Sequence, residues 1–253
     1  MQSKRIEFKG AFGDMLSARI DLPEDGKVKA YALFAHCFTC SKDLRAVGHI
    51  TKALAGVGIG TFRFDFTGLG QSAGEFSDTN FSSNVDDLIA AANFMAIELG
   101  KAPAILIGHS LGGAAVLQAA HRIESVKAVA TIGSPAEPAH VTKNFKMNLD
   151  KIETKGHAKV ILAGRPFTIK KQFVDDLEES KMKEYINQLG KALIVFHSPI
   201  DMTVGIDNAG KIFKAAKHPK SFVSLDDADH LLQDQKDSLY VGKVLGVWAE
   251  KYI

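Results

Sequence analysis

Six stretches of this chain, "KAYALFA", "GIGTFRF", "PAILIG", "KAVATIG", "KALIVFH" and "KSFVSL", are short and mostly apolar throughout, and amphipathic segments separate most of them. A strand with one wet face alternates polar and apolar residues. An unbroken apolar run instead marks a strand buried on both faces, as in a parallel sheet covered by helices. Two earlier runs, "RIEF" and "MLSARID", the second with period-two alternation, read as an antiparallel start. Residues 80–99 place Val85, Leu88, Ile89, Ala92, Met95, Ala96 and Leu99 at helical spacing, and a second helical pattern runs from about Asp237 to Tyr252, with Leu245 and Trp248 on one face. The expectation is an α/β chain with a mostly parallel eight-stranded sheet and helices on both faces.

A single domain over residues 1–253 accommodates this pattern, with one interruption. Nearly sixty residues separate "VATIG" from "KALIVFH", more than an ordinary crossover needs. Within them "AKVILAGRPFTI" reads as two β-prone runs around Gly164, and "IKKQFVDDLEESKMKEYINQLG" as one or two helices. Residues 134–190 are therefore expected to form a small lid inserted into the domain. A net charge of +2 without a basic block gives no footing for nucleic acid, and no apolar run has the length of a membrane span. The amino terminus carries no apolar core of signal-peptide length, so the cytoplasm is the expected compartment, and two cysteines there argue against a disulfide framework.

"PAILIGHSLGGAAVLQAAHR" holds G-x-S-x-G at Gly108, Ser110 and Gly112, with an apolar strand running in and an Ala-rich helix running out. This is the strand–turn–helix context in which a serine hydroxyl is presented as a nucleophile, and so tight a turn needs small neighbours. A serine needs a general base, and the base an orienting carboxylate, in the chain order Ser, Asp or Glu, His. Of the later histidines, His230 in "LDDADHLL" follows the last strand and precedes the final helix. Asp201 in "VFHSPIDMTV" lies just past the preceding strand, whereas Asp226, Asp227 and Asp229 sit too near His230 along the chain and are expected to shape its loop. Asp207 is expected to begin or cap the next helix.

"LFAHCFTCSKD" contains a C-x-x-C at Cys37 and Cys40. A redox dithiol normally opens a helix in a smaller βαβ setting, and zinc would need ligands from elsewhere. The favoured reading puts the chemistry in the backbone: the Phe38 amide after the third strand and the Leu111 amide after the serine would hold a developing oxyanion. Ser41 is expected to cap the following helix, with Asp43 in its first turn.

With these motifs the chain resembles an α/β-hydrolase along its whole length. "FRFDFTGLGQSAGEF" is similar to that family's D-x-R-G-x-G-x-S segment, matching at Asp65, Gly68, Gly70 and Ser72, with Thr67 where Arg is usual. "HCFTCSKD", "RFDFTGLGQSAGEFSDTNFSSNVDDL" and "GHSLGGAAVL" resemble the hydrolase domain fused to an OsmC-like domain in some bacterial proteins. Cys37 departs from the usual H-G of the oxyanion motif. The resemblance implies a serine hydrolase. We expect a carboxylesterase for small to medium hydrophobic or aromatic esters, needing no cofactor or metal, with lid residues Phe167 and Phe173 lining the substrate pocket. Two rivals are an aminopeptidase or amidase on the same triad, whose usual mark is an acidic cluster in the lid, and a non-catalytic binding module. Glu137, Asp175, Asp176, Glu178 and Glu179 are present but read more simply as solvated helix faces.

Overall fold

The computed structural model describes residues 1–100 and 102–253. In chain order the strands are β1 (Gln2–Lys9), β2 (Met15–Leu22), β3 (Ala30–Ala35), β4 (Ile59–Phe64), β5 (Ile105–His109), β6 (Ala128–Ile132), β7 (His157–Leu162), β8 (Arg165–Lys170), β9 (Ala192–His197) and β10 (Lys220–Ser224). The helices are α1 (Arg45–Ala55), α2 (Phe81–Glu98), α3 (Leu111–Ala119), α4 (Leu149–Lys155), α5 (Lys171–Glu179), α6 (Met182–Asn187), α7 (Asp207–Ala215) and α8 (Gln235–Ala249).

Eight strands form one sheet in the order β1-β2-β4-β3-β5-β6-β9-β10. β2 pairs antiparallel with β1 on one side and β4 on the other, and every further pairing along this sheet, from β4 to β10, is parallel. All residues of β4, β5, β6 and β9 are buried, the consequence of helices on both faces. One face packs Phe34, Ile107 and Ile194 against Val47, Ile50 and Leu54 of α1 and Val241 and Leu245 of α8. The other packs Leu33, Leu106 and Leu193 against apolar residues of α2, α3 and α7. Asn80 caps α2: its side chain accepts from Ser83 N–H while the Ser83 hydroxyl accepts from Asn80 N–H, a reciprocal cap that contributes about 1 kcal/mol.

The strand order reverses between β3 and β5. Connections leave these neighbours in opposite directions, which opens a crevice beyond their carboxyl ends. The β3 and β5 ends carry the Cys37–Cys40 loop and Ser110, so topology alone brings these two segments together. The first turn after β3 differs from expectation. α1 starts at Arg45, and Ser41 does not cap it. Instead Asp65 captures Lys42 by both its backbone N–H (2.6 Å) and its Nζ (2.7 Å), which holds residues 41–44 out of the helix. That buried pair is the structural use of the Asp65 segment, whose Ser72 hydroxyl donates to the Asp65 carbonyl while Gln71 N–H donates to its carboxylate.

The insertion is a folded cap. A 3-10 segment (Pro138–Asn148) and α4 lead into a β7–β8 hairpin, and α5 and α6 return the chain to the sheet. Ala163 (φ 49°) and Gly164 (φ 75°) make the two-residue turn with both residues left-handed, the geometry that matches strand twist. Phe145, Ile152, Val160, Ile169, Phe173 and Leu177 of this cap merge with the apolar core.

Candidate active site

Ser110 is the hinge between β5 and α3. Its backbone (φ 54°, ψ −125°) is a conformation that costs a non-glycine residue of order 1–3 kcal/mol. Its N–H donates to the Ile132 carbonyl of β6 and its carbonyl accepts from Gly113 N–H, each at 2.8 Å. The bend survives only because positions 108 and 112 carry no side chain. A Cβ on Gly108 would run into the Gly112 carbonyl, and one on Gly112 into the carbonyls of Ala35 and His36.

The Ser110 hydroxyl lies 3.0 Å from His230 Nε2, and His230 Nδ1 lies 2.7 Å from Asp201 Oδ2. With Nδ1–H donated to the carboxylate, Nε2 is left bare to accept the Ser110 hydroxyl proton. Asp201 Oδ1 accepts from the amides of Thr203 and Val204, both at 2.9 Å. Burial alone pushes the Asp201 carboxyl up, but the His230 hydrogen bond and the two loop amides outweigh it and hold the group below its usual range. The loop bearing His230 is fixed by Asp229, whose carboxylate accepts from Leu231 and Gln233 N–H. Sequence order placed all three residues, although they lie on segments far apart in the chain.

Three further residues of the site escaped the sequence. His109 donates from Nε2 to the His230 carbonyl at 2.7 Å, and its ring stacks 5.2 Å from the His230 ring. Burial, followed by the proximity of His230, pushes its pKa down to about 4, so it is neutral. Gly133 sits with φ +54° over the acid–base pair, where a Cβ would stand 3.3 Å from both Asp201 Oδ2 and His230 Nδ1. Arg165, at the tip of the cap hairpin, donates to the Thr39 carbonyl. No local pattern marks these residues, because each acts through a partner distant in sequence.

Phe38 and Leu111 line the same cleft as Ser110. Leu111 opens α3, so its amide has no partner within the helix. Around Phe38 the loop's own hydrogen bonds use other atoms: Cys40 N–H donates to the Cys37 carbonyl (3.1 Å), and buried His36 donates from Nδ1 to that carbonyl (2.8 Å). Thr39 is left-handed (φ 61°). Cys37 and Cys40 are joined in a disulfide, their Cα atoms 5.2 Å apart. This corrects the expectation of unpaired thiols: the tight turn brings the two Cα atoms to the separation a disulfide spans.

The cleft encloses about 410 Å³. Pro135, Val141, Ile161, Leu162, Val204 and Leu231 supply its apolar wall, and Thr39, His140, Asn144 and Thr203 its polar points. Phe167 and Phe173 are not part of it, contrary to expectation. Phe173 is buried against Phe38 and Phe76 in the main core, and Phe167 packs edge-on against Phe76 at 4.9 Å with the Arg165 guanidinium over its face. Both rings fill the seam where the cap meets the domain, so neither is free to face a ligand. Among the described residues, no His/Cys/Asp/Glu group suited to a metal is found, and no helix is long and apolar enough to cross a membrane.

The fold is that of an α/β-hydrolase. The chain superposes on Est1E of Butyrivibrio proteoclasticus with ferulic acid bound at TM-score 0.83 and 18% identity, covering 97% of this chain and 98% of that one. Mouse alpha/beta hydrolase domain-containing protein 10 matches at TM-score 0.77 and 17% identity, covering 98% and 99% of the two chains. A much nearer structure is the esterase domain of a Rhodothermus marinus protein, 49% identical over 100% of this chain and 99% of that one, at TM-score 0.80. Residues 26–181 match the family model for serine aminopeptidase, S33, and the chain belongs to that hydrolase family. No curated protein matches it.

Proposed function

We propose that the protein is a carboxylesterase acting on small to medium hydrophobic or aromatic esters through an acyl-enzyme. The observation that carries this reading is the hydrogen-bonded chain from Ser110 through His230 to Asp201, open to a cleft with a largely apolar wall. Ser110 Oγ attacks the ester carbonyl as His230 Nε2 takes its proton, and Asp201 stabilises the imidazolium that results. The amides of Phe38 and Leu111 take up the charge on the carbonyl oxygen. His230 then returns the proton to the leaving alcohol. A water, deprotonated by the same nitrogen, attacks the acyl-enzyme and releases the acid.

The family's description raises an aminopeptidase as the second reading. Such an enzyme must hold a substrate ammonium, and among the described residues lining the cleft there is no aspartate or glutamate. Two of the cap's acidic residues are engaged elsewhere: Asp176 accepts from the Ser82 amide and hydroxyl, and Asp175 pairs with Lys171. The 49% identical esterase domain favours the ester reading as well. Labelling of Ser110 by a fluorophosphonate, followed by turnover of aryl esters of graded acyl length and of an aminoacyl arylamide, tests both readings. Hydrolysis of the arylamide in preference to every ester would reverse the assignment, and absence of labelling would leave a binding module.

A further inference from the structure

The disulfide lies where it bears on chemistry. It closes a ring of four residues, Cys37-Phe38-Thr39-Cys40, and the residue after Cys37 carries the amide that the proposed mechanism aims at the oxyanion. Both cysteines line the cleft beside Ser110. They are not equally protected: Cys37 is 3% exposed, whereas Cys40 is half-buried and open to the cleft. Three other devices hold the loop, namely the His36 bond to the Cys37 carbonyl, the Arg165 bond to the Thr39 carbonyl, and Asp65 gripping the Lys42 amide. The His36 bond orients the peptide plane that the Cys37 carbonyl shares with the Phe38 N–H, whereas the Arg165 and Asp65 bonds act further along the loop. The disulfide adds a covalent tie across the turn through left-handed Thr39, and so stiffens the segment that carries that amide.

We propose that Cys37–Cys40 is a second reactive centre of this cleft, a disulfide that exchanges with small thiols and dithiols, and that opening it slows ester turnover. This rests on the esterase reading of the cleft. A dithiol admitted to the cleft attacks Cys40 Sγ as a thiolate; the Cys37–Cys40 bond breaks, and Cys37 leaves and takes a proton. The second sulfur of the dithiol then attacks its own mixed disulfide and releases Cys40 as a thiol. Two electrons and two protons pass to the protein, and the dithiol becomes a cyclic disulfide. The freed loop retains its three polar ties, so the oxyanion donor is loosened rather than lost. The acyl-binding wall, formed largely by other segments, is untouched.

The test uses the whole chain and dithiothreitol. Reduced and untreated protein are alkylated with iodoacetamide, weighed to count the thiols, and assayed with one aryl ester. The expected result is two alkylated cysteines only after reduction, with kcat lowered about tenfold and KM changed less than about twofold, short of the ~100-fold or greater cost of deleting an oxyanion donor. Reoxidation restores the rate. The Cys37→Ala/Cys40→Ala variant sits near the reduced rate and ignores the dithiol, and its thermal melt shows that it is folded. If native protein resists reduction, or if both thiols are counted and kcat is unchanged, the proposal is overturned. Should neither form hydrolyse any ester while Ser110 also fails to label, the esterase reading fails instead, and the thiol count still reports whether the disulfide exchanges.

Discussion

His109, the residue before Ser110, donates its Nε2–H to the backbone carbonyl of His230 across 121 residues of sequence. One turn thereby presents the serine and anchors the loop that carries its base. A carbonyl can only accept, so Nε2 of His109 carries a proton in this contact. Burial, with His230 next, brings its pKa from 6.5 to about 4.

Stability should fall as the medium is acidified. Unfolded His109 binds its proton near pH 6.5 and folded His109 only near 4, so between these values the unfolded chain holds more protons and acid favours unfolding. The contribution is fully present above pH 6.5 and is lost towards pH 4, in total about 3 kcal/mol. Buried His36 and His197, both lowered by desolvation, act in the same direction. Chemical denaturation at pH 7.5 and pH 5 should show the loss, and His109→Gln should reduce the difference between the two. An unchanged difference in that variant contradicts the assignment.

Ser110→Ala should lower ester turnover about ten-thousandfold or more while the melting temperature stays near that of the native protein. Turnover comparable to the native rate would remove Ser110 from the mechanism.

Asp201→Asn is a sharper probe of the acid. The side-chain oxygen can still accept from Thr203 and Val204, but an amide NH₂ facing His230 Nδ1 selects the opposite tautomer and leaves Nε2 protonated. We expect kcat to drop on the order of ten-thousandfold, with Ser110 labelling by a fluorophosphonate slowed in parallel. A small drop would show that another carboxylate orients His230.

Gly133→Ala tests a position outside the triad. The left-handed backbone costs a Cβ roughly 1–2 kcal/mol, and the new atom would press on Asp201 and His230 from 3.3 Å. Both the melting temperature and kcat should fall, with KM little changed. A variant with native kcat would show that the pair tolerates displacement.

The cap separates two kinds of apolar residue. Ile161 is 68% exposed yet lines the cleft, so Ile161→Ala should raise KM for longer acyl groups roughly threefold with kcat preserved. Phe167→Ala should leave the substrate profile alone and cost about 1–3 kcal/mol of stability, less than a fully buried Phe because the ring is only partly buried. The reverse pattern would return Phe167 to the pocket.

Much of this protein is written locally. Apolar runs such as "PAILIG" can be satisfied only by burial on both faces, and G-H-S-L-G-G permits the Ser110 bend because glycine alone fits between crossing backbones. Chain order pointed to Asp201 and His230, whose loops meet Ser110 at one crevice because a strand's carboxyl end determines which loops share it. Other features depended on distances that no local pattern encodes. Ser41 looked like a helix cap until Asp65, 23 residues beyond Lys42, claimed that lysine's amide and amine. Cys37 and Cys40 pair because Thr39 turns left-handed within a loop held at three points. Phe167 and Phe173 left the pocket because they pack against Phe38 and Phe76 where the cap meets the domain, and Ile161 entered it because the tip of the β7–β8 hairpin lines the cleft. His109, Gly133 and Arg165 act only on neighbours that folding brings to them. Periodicity and turn chemistry set the elements and their order. Which side chains meet at the crevice was decided by close packing in three dimensions, where each volume can be filled only once.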